Sequence, residues 1–270
     1  MGFYDKVANV QNVRPGAVAI ITLPCSVTYD KIKLKLGGGL VAADLTRIEF
    51  KANGKTFYVD NAPFANLRQA YKAIGINAAW VTVDFTEPKS RGGAVSQFLA
   101  SIPANLLKTL TCEVTIGAAA NVLSTMECHV EFRQPTGNPF IKKMLDFNAS
   151  LPNAGEHDLF LPAGASGGII KRLWMHTGGA LVTGIDLRVN RVSAKRQLKA
   201  DWQFEQTQND LVPQALLDVI DFMADGNVQG ALNTGPDASG KAPVVELRVT
   251  VSAAEVIHGY LEFIDPINRL

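Results

Sequence analysis

The chain has 270 residues, of which 47% are hydrophobic and 19% charged, and its formal net charge is +1. This composition is typical of a globular protein with one large or two ordinary domains, and it excludes a disordered or fibrous chain. The near-zero charge gives no electrostatic footprint for nucleic acid, so direct nucleic-acid binding is not expected. No apolar run approaches the ~20 residues that span a bilayer.

The first half of the chain begins with short strand-like segments bounded by Gly, Pro or Asn. They are AVAIITLP (17–24), KIKLKLGG (31–38) and LTRIEFKANGK (45–55). In KIKLKL, Ile32, Leu34 and Leu36 would share one face and the lysines the other, which indicates an antiparallel sheet with one wet face. Asn53 and Gly54 predict a hairpin turn, because both residues tolerate positive φ.

Two helices are predicted between the strands of the first half. Residues 61–75 have Pro63 in the first turn, Gly75 as a stop and an apolar stripe at helical spacing. The stripe consists of Phe64, Leu67, Tyr71 and Ile74. Residues 92–107 form the second predicted helix, with Val95, Phe98, Leu99 and Ile102 at helical spacing.

The three cysteines give little chemistry. Cys25, Cys112 and Cys128 are odd in number and lack CxxC spacing, which favours neither a disulfide nor a metal site. In TLTCEVTIG and ECHVEF, Cys112 and Cys128 fall in step with alternating apolar positions. We therefore expect both to be small core residues.

The second half of the chain repeats the first. The phrase TLPCSVTYDKIKLKLGGGLV at 22–41 returns in outline as FLPAGASGGIIKRLWMHTGGALV at 160–182. Two further pairs follow in the same order: AAWVTVDF at 78–85 with ALLDVIDF at 215–222, and 110–132 with 245–263. The offsets are 138 for Pro24 and Pro162, 137 for Asp84 and Asp221, and 131 for Phe132 and Phe263. The period has the size of a small domain.

We therefore predict two tandem copies of one domain, residues 1–137 and 138–270. The boundary lies in 133–155, where Pro, Gly and Asn break regular structure. The segment 226–243 predicts a glycine-rich loop where the first copy has its second helix. About eight short strands per copy predict an all-β fold: two tandem jelly-roll β-sandwiches, a double jelly roll, with a few short helices in the connections.

Several stretches imitate functional motifs. Residues 235–241, GPDASGK, match most of a phosphate-binding loop, but Ala242 replaces the required hydroxyl and Pro243 leads into the strand VVELRVTV (244–251). This favours an ordinary turn. The loop 224–227 could offer oxygens to calcium, yet it lacks the ligand spacing of a dedicated site.

Catalytic constellations are equally weak. The four histidines, His129, His157, His176 and His258, are far apart and form no HxH pair, which disfavours a bicupin-like metalloenzyme. Asp84 and Asp221 occupy matched positions; they form either a carboxylate pair or a shared framework contact at a strand end, and we favour the framework contact. We predict no catalytic, cofactor-binding or metal-binding residue.

The segments NVRPGAVAIITLPCSVTYDKIKLKLGG (12–38) and LTRIEFKANGKTF (45–57) resemble the major capsid protein of tailless icosahedral, internal-membrane double-stranded DNA phages of the corticovirus type. The resemblance implies a structural protein of the virion capsid, made in the host cytoplasm. It implies a homotrimer that tiles an icosahedral shell as a pseudo-hexamer and contacts neighbouring capsomers, vertex or minor capsid proteins and an internal membrane. It implies no cofactor, and it leaves room for a structural calcium ion whose ligands the sequence does not identify.

The two halves differ in charge. Residues 1–137 carry 14 Lys and Arg against 10 Asp and Glu, a net +4, whereas residues 138–270 carry 12 against 15, a net −3. Opposite charges on alternating barrels would favour contacts between first and second barrels in a trimer. Chance is the alternative explanation, since the difference in net charge between the two halves is modest.

A second reading is a β-sandwich module that binds carbohydrate or a receptor on a virion. Such a module would carry a cluster of exposed aromatic and polar side chains. The sequence shows no such cluster, because Trp80, Trp174 and Trp202 all lie in or next to strand-like runs.

Overall fold

The computed structural model describes residues 2–7, 10–161, 168–236 and 239–270. The chain forms two compact units. The first consists of Met1–Gln69, Ile74–Lys143 and Pro266–Leu270, and the second of Ala70–Ala73 and Met144–Asp265. The boundary that we expected at 137/138 lies six residues ahead of the passage from the first unit to the second, between Lys143 and Met144.

The first unit contains two sheets and two helices. Its strands are β1 (Phe3–Val7), β2 (Val10–Gln11), β3 (Val18–Leu23), β4 (Thr28–Gly37), β5 (Leu45–Ala52), β6 (Lys55–Asp60), β7 (Trp80–Asp84), β8 (Ile102–Pro103), β9 (Leu110–Ile116) and β10 (Thr125–Arg133). Its helices are α1 (Ala62–Tyr71), whose last two residues belong to the second unit, and α2 (Gly93–Phe98). One sheet has the order β1-β10-β4-β7, with β8 paired to β4, and the other runs β6-β5-β9-β3-β2.

The second unit has its own pair of sheets. Its strands are β11 (Phe140–Leu151, which begins in the first unit), β12 (Gly155–Leu159), β13 (Ile169–Thr177), β14 (Val182–Val189), β15 (Val192–Leu198), β16 (Leu217–Asp221), β17 (Leu232–Asn233), β18 (Val245–Val251) and β19 (Glu255–Pro266). Its helix is α3 (Lys199–Gln208). The sheet orders are β11-β19-β13-β16, with β17 paired to β13, and β12-β18-β14-β15.

The two units repeat one strand plan. The order β1-β10-β4-β7 corresponds to β11-β19-β13-β16, and β6-β5-β9-β3 corresponds to β15-β14-β18-β12, with the strands in the same chain order. Even the two-residue strand β8 has a counterpart in β17. The chain is therefore an all-β protein of two tandem jelly-roll sandwiches, as the repeated phrases predict.

The predicted alternation is confirmed in the strands. In β4, Ile32, Leu34 and Leu36 are buried while the lysines between them reach solvent. The β18 residues Leu247 and Val249 lie in the core of the second unit. Period-two alternation is therefore a reliable signal here, because one face of each sheet packs on the sandwich interior and the other is wet.

The predicted hairpin turn is also confirmed. Asn53 and Gly54 join β5 to β6 with φ values of 51° and 81°. The Asn53 side-chain oxygen accepts hydrogen bonds from the Lys108 and Thr109 backbone N–H groups, which ties the turn to the segment before β9.

The second predicted helix, 92–107, is wrong in extent. Helix α2 ends at Phe98, and Ile102 pairs with Tyr29 as part of β8. Val95, placed by the sequence pattern on the apolar side, is 80% exposed. Pro103 explains the early stop, since the residue before a proline is disfavoured in the helical region.

Helix α1 forms close to the predicted place, but its buried side differs. Ala62, Ala65 and Tyr71 are buried, whereas Phe64 and Leu67 of the predicted stripe are only partly covered. The buried side also includes an arginine and a glutamine, so apolar spacing alone does not identify it.

Helix α3 was not predicted at all. Its sequence KADWQFEQTQ buries only Trp202 and Gln206, one turn apart, so it has no continuous apolar stripe. Asp201 accepts a hydrogen bond from the Leu198 N–H at the helix start. The helix occupies the place of α1 in the second copy, and Trp202, expected beside a strand, therefore lies on a helix.

Candidate functional site

The side chains most often used in catalysis have structural roles. The thiols of Cys112 and Cys128 are buried, as expected, and burial raises the pKa of both, that of Cys128 to about 12. His157 contacts the Asn153 carbonyl, and His258 the Asn148 side-chain oxygen.

The histidines do not build a metal centre in the part of the chain that the structure describes. His176 and His258 are register partners on β13 and β19. Within residues 2–7, 10–161, 168–236 and 239–270, however, no group of three His, Cys, Asp or Glu could hold a metal ion. In the same ranges no helix is long and apolar enough to cross a bilayer.

The segment 235–241, which matches most of a phosphate-binding loop, lies partly outside the described residues, at positions 237–238. The described residues on either side are β17, only two residues long, and the strand β18. A phosphate loop requires a helix whose N-terminus receives the phosphate, and a strand takes its place here. Pro162 and the rest of 162–167, which belong to the repeated phrase, also lie outside the described residues.

Asp84 and Asp221 make the same contacts in the two copies. Each is the last residue of its strand, β7 or β16. Asp84 Oδ1 accepts from the Thr86 N–H at 2.8 Å, and Asp221 Oδ1 from the Met223 N–H at 2.8 Å. Both aspartates therefore close an identical turn two residues on, which is a framework contact.

A charged row crosses the same sheet in both copies. In the first unit Glu131, Lys31 and Asp84 are register partners on β10, β4 and β7. In the second unit the equivalent row is Glu262, Arg172 and Asp221 on β19, β13 and β16. In each row a basic residue lies between two acids, so unlike charges face one another on adjacent strands.

The two rows differ in exposure. Lys31 and Glu131 are about one-third exposed, with Nζ–O distances of 3.5 Å to Glu131 and 3.8 Å to Asp84. The side chains of the second row are at most 6% exposed, and Arg172 lies 2.8 Å from Asp221 and 3.2 Å from Glu262. The duplicated row is thus a surface feature in one unit and a buried network in the other.

A β-bulge lies beside each row. The register shifts between Glu131 and Phe132 in the first unit, which leaves Asp30 as the extra residue on β4. In the second unit it shifts between Ile170 and Arg172, which leaves Lys171 as the extra residue on β13. A bulge sets two residues against one and re-aims their side chains.

The bulge residues carry opposite charges in the two copies. Asp30 bonds Arg133 and the Ser101 hydroxyl. Lys171, with no exposed surface, lies 3.0 Å from Glu262. The bulge thus brings Lys171 and Arg172 to the same carboxylate. Glu262 also accepts a hydrogen bond from the Trp174 indole at 2.9 Å.

The glycines of the repeated phrase have a packing role. Gly178 and Gly179 follow β13, and their N–H groups, with that of Leu181, donate to the carboxylate of Glu255 at 3.0–3.2 Å. In the first copy Gly38 has φ +62° and an added Cβ would lie 1.9 Å from the Leu123 carbonyl oxygen. In both copies a glycine turn thus packs closely on the segment leading into the last strand.

The backbone cradle of Glu255 predicts a pH dependence. Its hydrogen bonds hold the pKa below 4.5 against the opposing effect of desolvation, which is the largest single influence. A carboxyl with a depressed folded pKa stabilises the protein above its unfolded pKa and loses that contribution as pH falls. Glu255→Gln should therefore cost about 1–3 kcal/mol at neutral pH, and the difference from wild type should shrink as pH falls through and below 4.5.

Chemical denaturation at a series of pH values measures this effect. Glu246→Gln, a substitution elsewhere in the second unit that leaves the cradle intact, is the control. A difference between wild type and Glu255→Gln that stays constant across the acid range would show that the cradle does not bind the ionised carboxylate.

The outer face of the sheet β1-β10-β4-β7 is covered by paired charges. Lys6 lies 2.7 Å from Glu127, and Lys35 lies 3.7 Å from the same carboxylate. Hydrogen bonds from Lys6 and His129 lower the pKa of Glu127 to about 2. Lys31 and Lys33 both pair with Glu131. The lysine face of KIKLKL is therefore neutralised by the neighbouring strand β10.

Aromatic residues meet on the same face. The rings of Tyr4 and His129 stack at 5.6 Å, and His129 lies 5.1 Å from Trp80. Of these three rings only that of Tyr4 is exposed, and those of Trp80 and His129 are partly covered. Strand pairing brings together three residues that are up to 125 positions apart, and no sequence pattern connects them.

Exposed apolar side chains occur on each unit. Val122 and Leu123 in the loop after β9 are 83% and 73% exposed. In the second unit Val192, Leu198 and Phe204 are 69%, 65% and 64% exposed on β15 and α3. Side chains of this kind are common at protein–protein contacts.

Known proteins share this architecture. Two family models match the chain: the viral coat protein P2 N-terminal domain over residues 4–133 and the viral coat protein P2 C-terminal domain over residues 141–267. No curated protein sequence matches the chain. The two matched ranges together cover nearly the whole sequence, one on each repeated half.

Solved structures show the same fold. The major capsid protein P2 of bacteriophage PM2 superposes with a TM-score of 0.83 at 20% identity, over 97% of this chain and 98% of that one. The STIV MCP superposes with a TM-score of 0.71 at 14% identity, over 97% of this chain and 96% of that one. The PBCV-1 virus capsid model superposes with a TM-score of 0.62 at 10% identity, over 98% of this chain and 93% of that one.

The order of the two matched domains agrees with the two jelly rolls of the structure. Coat proteins are structural components of virions, and the chain is accordingly structural rather than enzymatic. From the paired family models and the duplicated strand plan together, we conclude that the chain belongs to the viral coat protein P2 family, as a double-jelly-roll capsid protein.

Proposed function

We propose that this coat protein assembles as a homotrimer, a pseudo-hexameric capsomer that tiles an icosahedral shell around an internal membrane. The observation that carries the proposal is the strand-for-strand duplication. Three chains with two jelly rolls each supply six similar barrels, the number that a hexagonal tile needs. The structural relatives named as a major capsid protein and as a virus capsid support this reading.

A trimer of this kind closes on itself. A contact between two different surfaces forms a ring when the rotation between subunits closes, and a filament when it does not. We therefore propose that each chain presents one surface to each of its two neighbours. Contacts with neighbouring capsomers, vertex or minor capsid proteins and the membrane follow from the same proposal, with synthesis in the host cytoplasm.

The second unit offers a surface for such a contact. Strand β15 ends the sheet β12-β18-β14-β15, and most of its side chains are exposed. Val192 and Leu198 on this strand, and Phe204 on the adjoining helix α3, add apolar area. An edge strand with exposed apolar residues invites pairing, and burial in a closed trimer would protect it.

Charge contributes a second element to the proposal. The net charges of +4 for residues 1–137 and −3 for 138–270 would favour contacts between unlike barrels. The lysines on β4 cannot supply this attraction, because Glu127 and Glu131 already neutralise them. The excess positive charge must come from other residues of the first half.

The mass of the purified protein in solution tests the proposal. Light scattering after size exclusion should give about 87 kDa, three times the 29.1 kDa chain. Raising the salt concentration should increase dissociation, since exposed unlike charges are screened over about 10 Å at 0.1 M salt. A monomer at every protein concentration would contradict the trimer, and a trimer indifferent to salt would contradict only the role of charge.

A further inference from the structure

A cavity opens on the outer face of the first unit, beside the charged row Glu131–Lys31–Asp84. Its volume is about 310 Å³, at the lower end of the range for small-molecule sites. The sheet β1-β10-β4-β7 forms its floor, and α1 with the segment after it forms one side. Tyr4, Trp80, Gln69 and Lys33 are among its lining residues.

The matching row of the second copy is buried. There Arg172, Glu262 and Asp221 are buried, and the Tyr71 hydroxyl donates to Asp221 at 3.2 Å. The Tyr71 ring packs edge-on against Trp174 at 5.4 Å, and Trp174 has no exposed surface. The two copies share this framework, so the exposure of the row beside the cavity is particular to the first copy.

One wall of the cavity is aromatic. Tyr4, whose residue is 57% exposed, donates or accepts a hydrogen bond with His129 at 2.8 Å. The His129 ring stacks on that of Tyr4 and lies 5.1 Å from that of Trp80. A rigid aromatic wall offers an apolar face to a flat ligand at little entropic cost.

Three amide side chains also line the cavity, those of Asn66, Gln69 and Asn77. Gln69 is 9% exposed, and its amide nitrogen bonds the Thr82 carbonyl, whereas its buried Oε1 accepts no hydrogen bond from the described residues. This oxygen has almost no accessible surface, so the side chains of Asn66 and Asn77 are the amides that a ligand in the cavity would meet.

The charges at the site are already balanced. Lys33 and Lys31 both pair with Glu131, and Lys31 also lies near Asp84. An anionic ligand would have to compete with these two carboxylates for the ammonium groups. A neutral ligand with several hydroxyls would instead use donors and acceptors together, without disturbing the ion pairs.

From the aromatic residues, the amides and the balanced charge of the lining, we infer that the first jelly roll carries a binding site for a neutral carbohydrate, a single sugar unit of a glycan. The ring face of the sugar packs on Trp80, beside the stacked rings of Tyr4 and His129. Its hydroxyls bond Asn66, Asn77 and the ammonium of Lys33. This inference goes beyond shell assembly and does not depend on the oligomeric state.

Saturation-transfer NMR on the full-length protein tests the site, with glucose, galactose, mannose and N-acetylglucosamine as free probes. At least one sugar should bind, with a dissociation constant on the order of 1 mM. Its binding should also change tryptophan emission, because Trp174 and Trp202 are buried and Trp80 is the partly exposed indole.

Substitutions locate the binding. Trp80→Ala should weaken it by about tenfold, and Trp80→Phe should retain most of it while abolishing the emission change. Tyr4→Ala, at an exposed position, provides a second test if Trp80→Ala does not fold. Phe204→Ala removes an exposed ring from the second unit and should leave binding unchanged.

Three results would overturn the inference. The first is saturation transfer from none of the four sugars, and the second is binding that survives both Trp80→Ala and Tyr4→Ala. The third is displacement of the sugar by inorganic phosphate at equal concentration, which would assign the site to anions.

Discussion

Glu262→Ala should lower the free energy of unfolding by about 3–5 kcal/mol, because it removes the acceptor of a buried ion network. Lys171 lies 3.0 Å from this carboxylate and has no exposed surface, and Arg172 lies 3.2 Å from it. The Trp174 indole loses its acceptor as well. The two buried cations would then have one carboxylate fewer between them. Their uncompensated positive charge is costly in a medium of low dielectric.

The first copy of the domain supplies the matched control. Glu131→Ala removes the equivalent carboxylate from the equivalent row, but Glu131 and its lysine partners are about one-third exposed. Exposed ion pairs contribute about 0–1 kcal/mol, so this substitution should cost correspondingly little. Urea denaturation of both variants measures the difference. Equal losses at the two positions would show that burial of the row does not determine its energetic weight.

Gly38→Ala should destabilise the first unit by about 3 kcal/mol, through two effects that add. The backbone of Gly38 has φ +62°, a conformation that disfavours a side chain. The added Cβ would also meet the Leu123 carbonyl oxygen at 1.9 Å, and a backbone atom cannot rotate away. The turn after β4 and the loop before β10 would have to separate.

Gly54→Ala isolates the first of these effects. Gly54 has φ +81°, and an added Cβ there would meet no atom within 4 Å. This substitution should lower the free energy of unfolding by about 1 kcal/mol, through the backbone conformation alone. Thermal or chemical unfolding of the two variants compares them directly. If Gly38→Ala costs no more than Gly54→Ala, the close approach to Leu123 is not a constraint on the fold.

Features determined by near neighbours could be predicted from the sequence. The alternation in KIKLKL and the Asn53–Gly54 turn are local signals, and both are confirmed. The duplication could be found because the same local phrases recur in order. These signals together give the fold class and, with the resemblance, the family.

Features determined by distant contacts could not be predicted. Helix α3 buries only Trp202 and Gln206, and its stability comes from packing that its own sequence does not indicate. The bulges at Asp30 and Lys171 depend on register across strands about 100 residues apart. The cavity beside Trp80 likewise arises from pairing between β1, β10, β4 and β7.

We propose that this duplicated coat protein forms trimeric tiles. Electron microscopy of the purified protein tests it most directly. Class averages should show particles with threefold symmetry and a hexagonal outline made of six similar lobes. Isolated two-lobed particles, or open filaments in place of closed rosettes, would contradict the account.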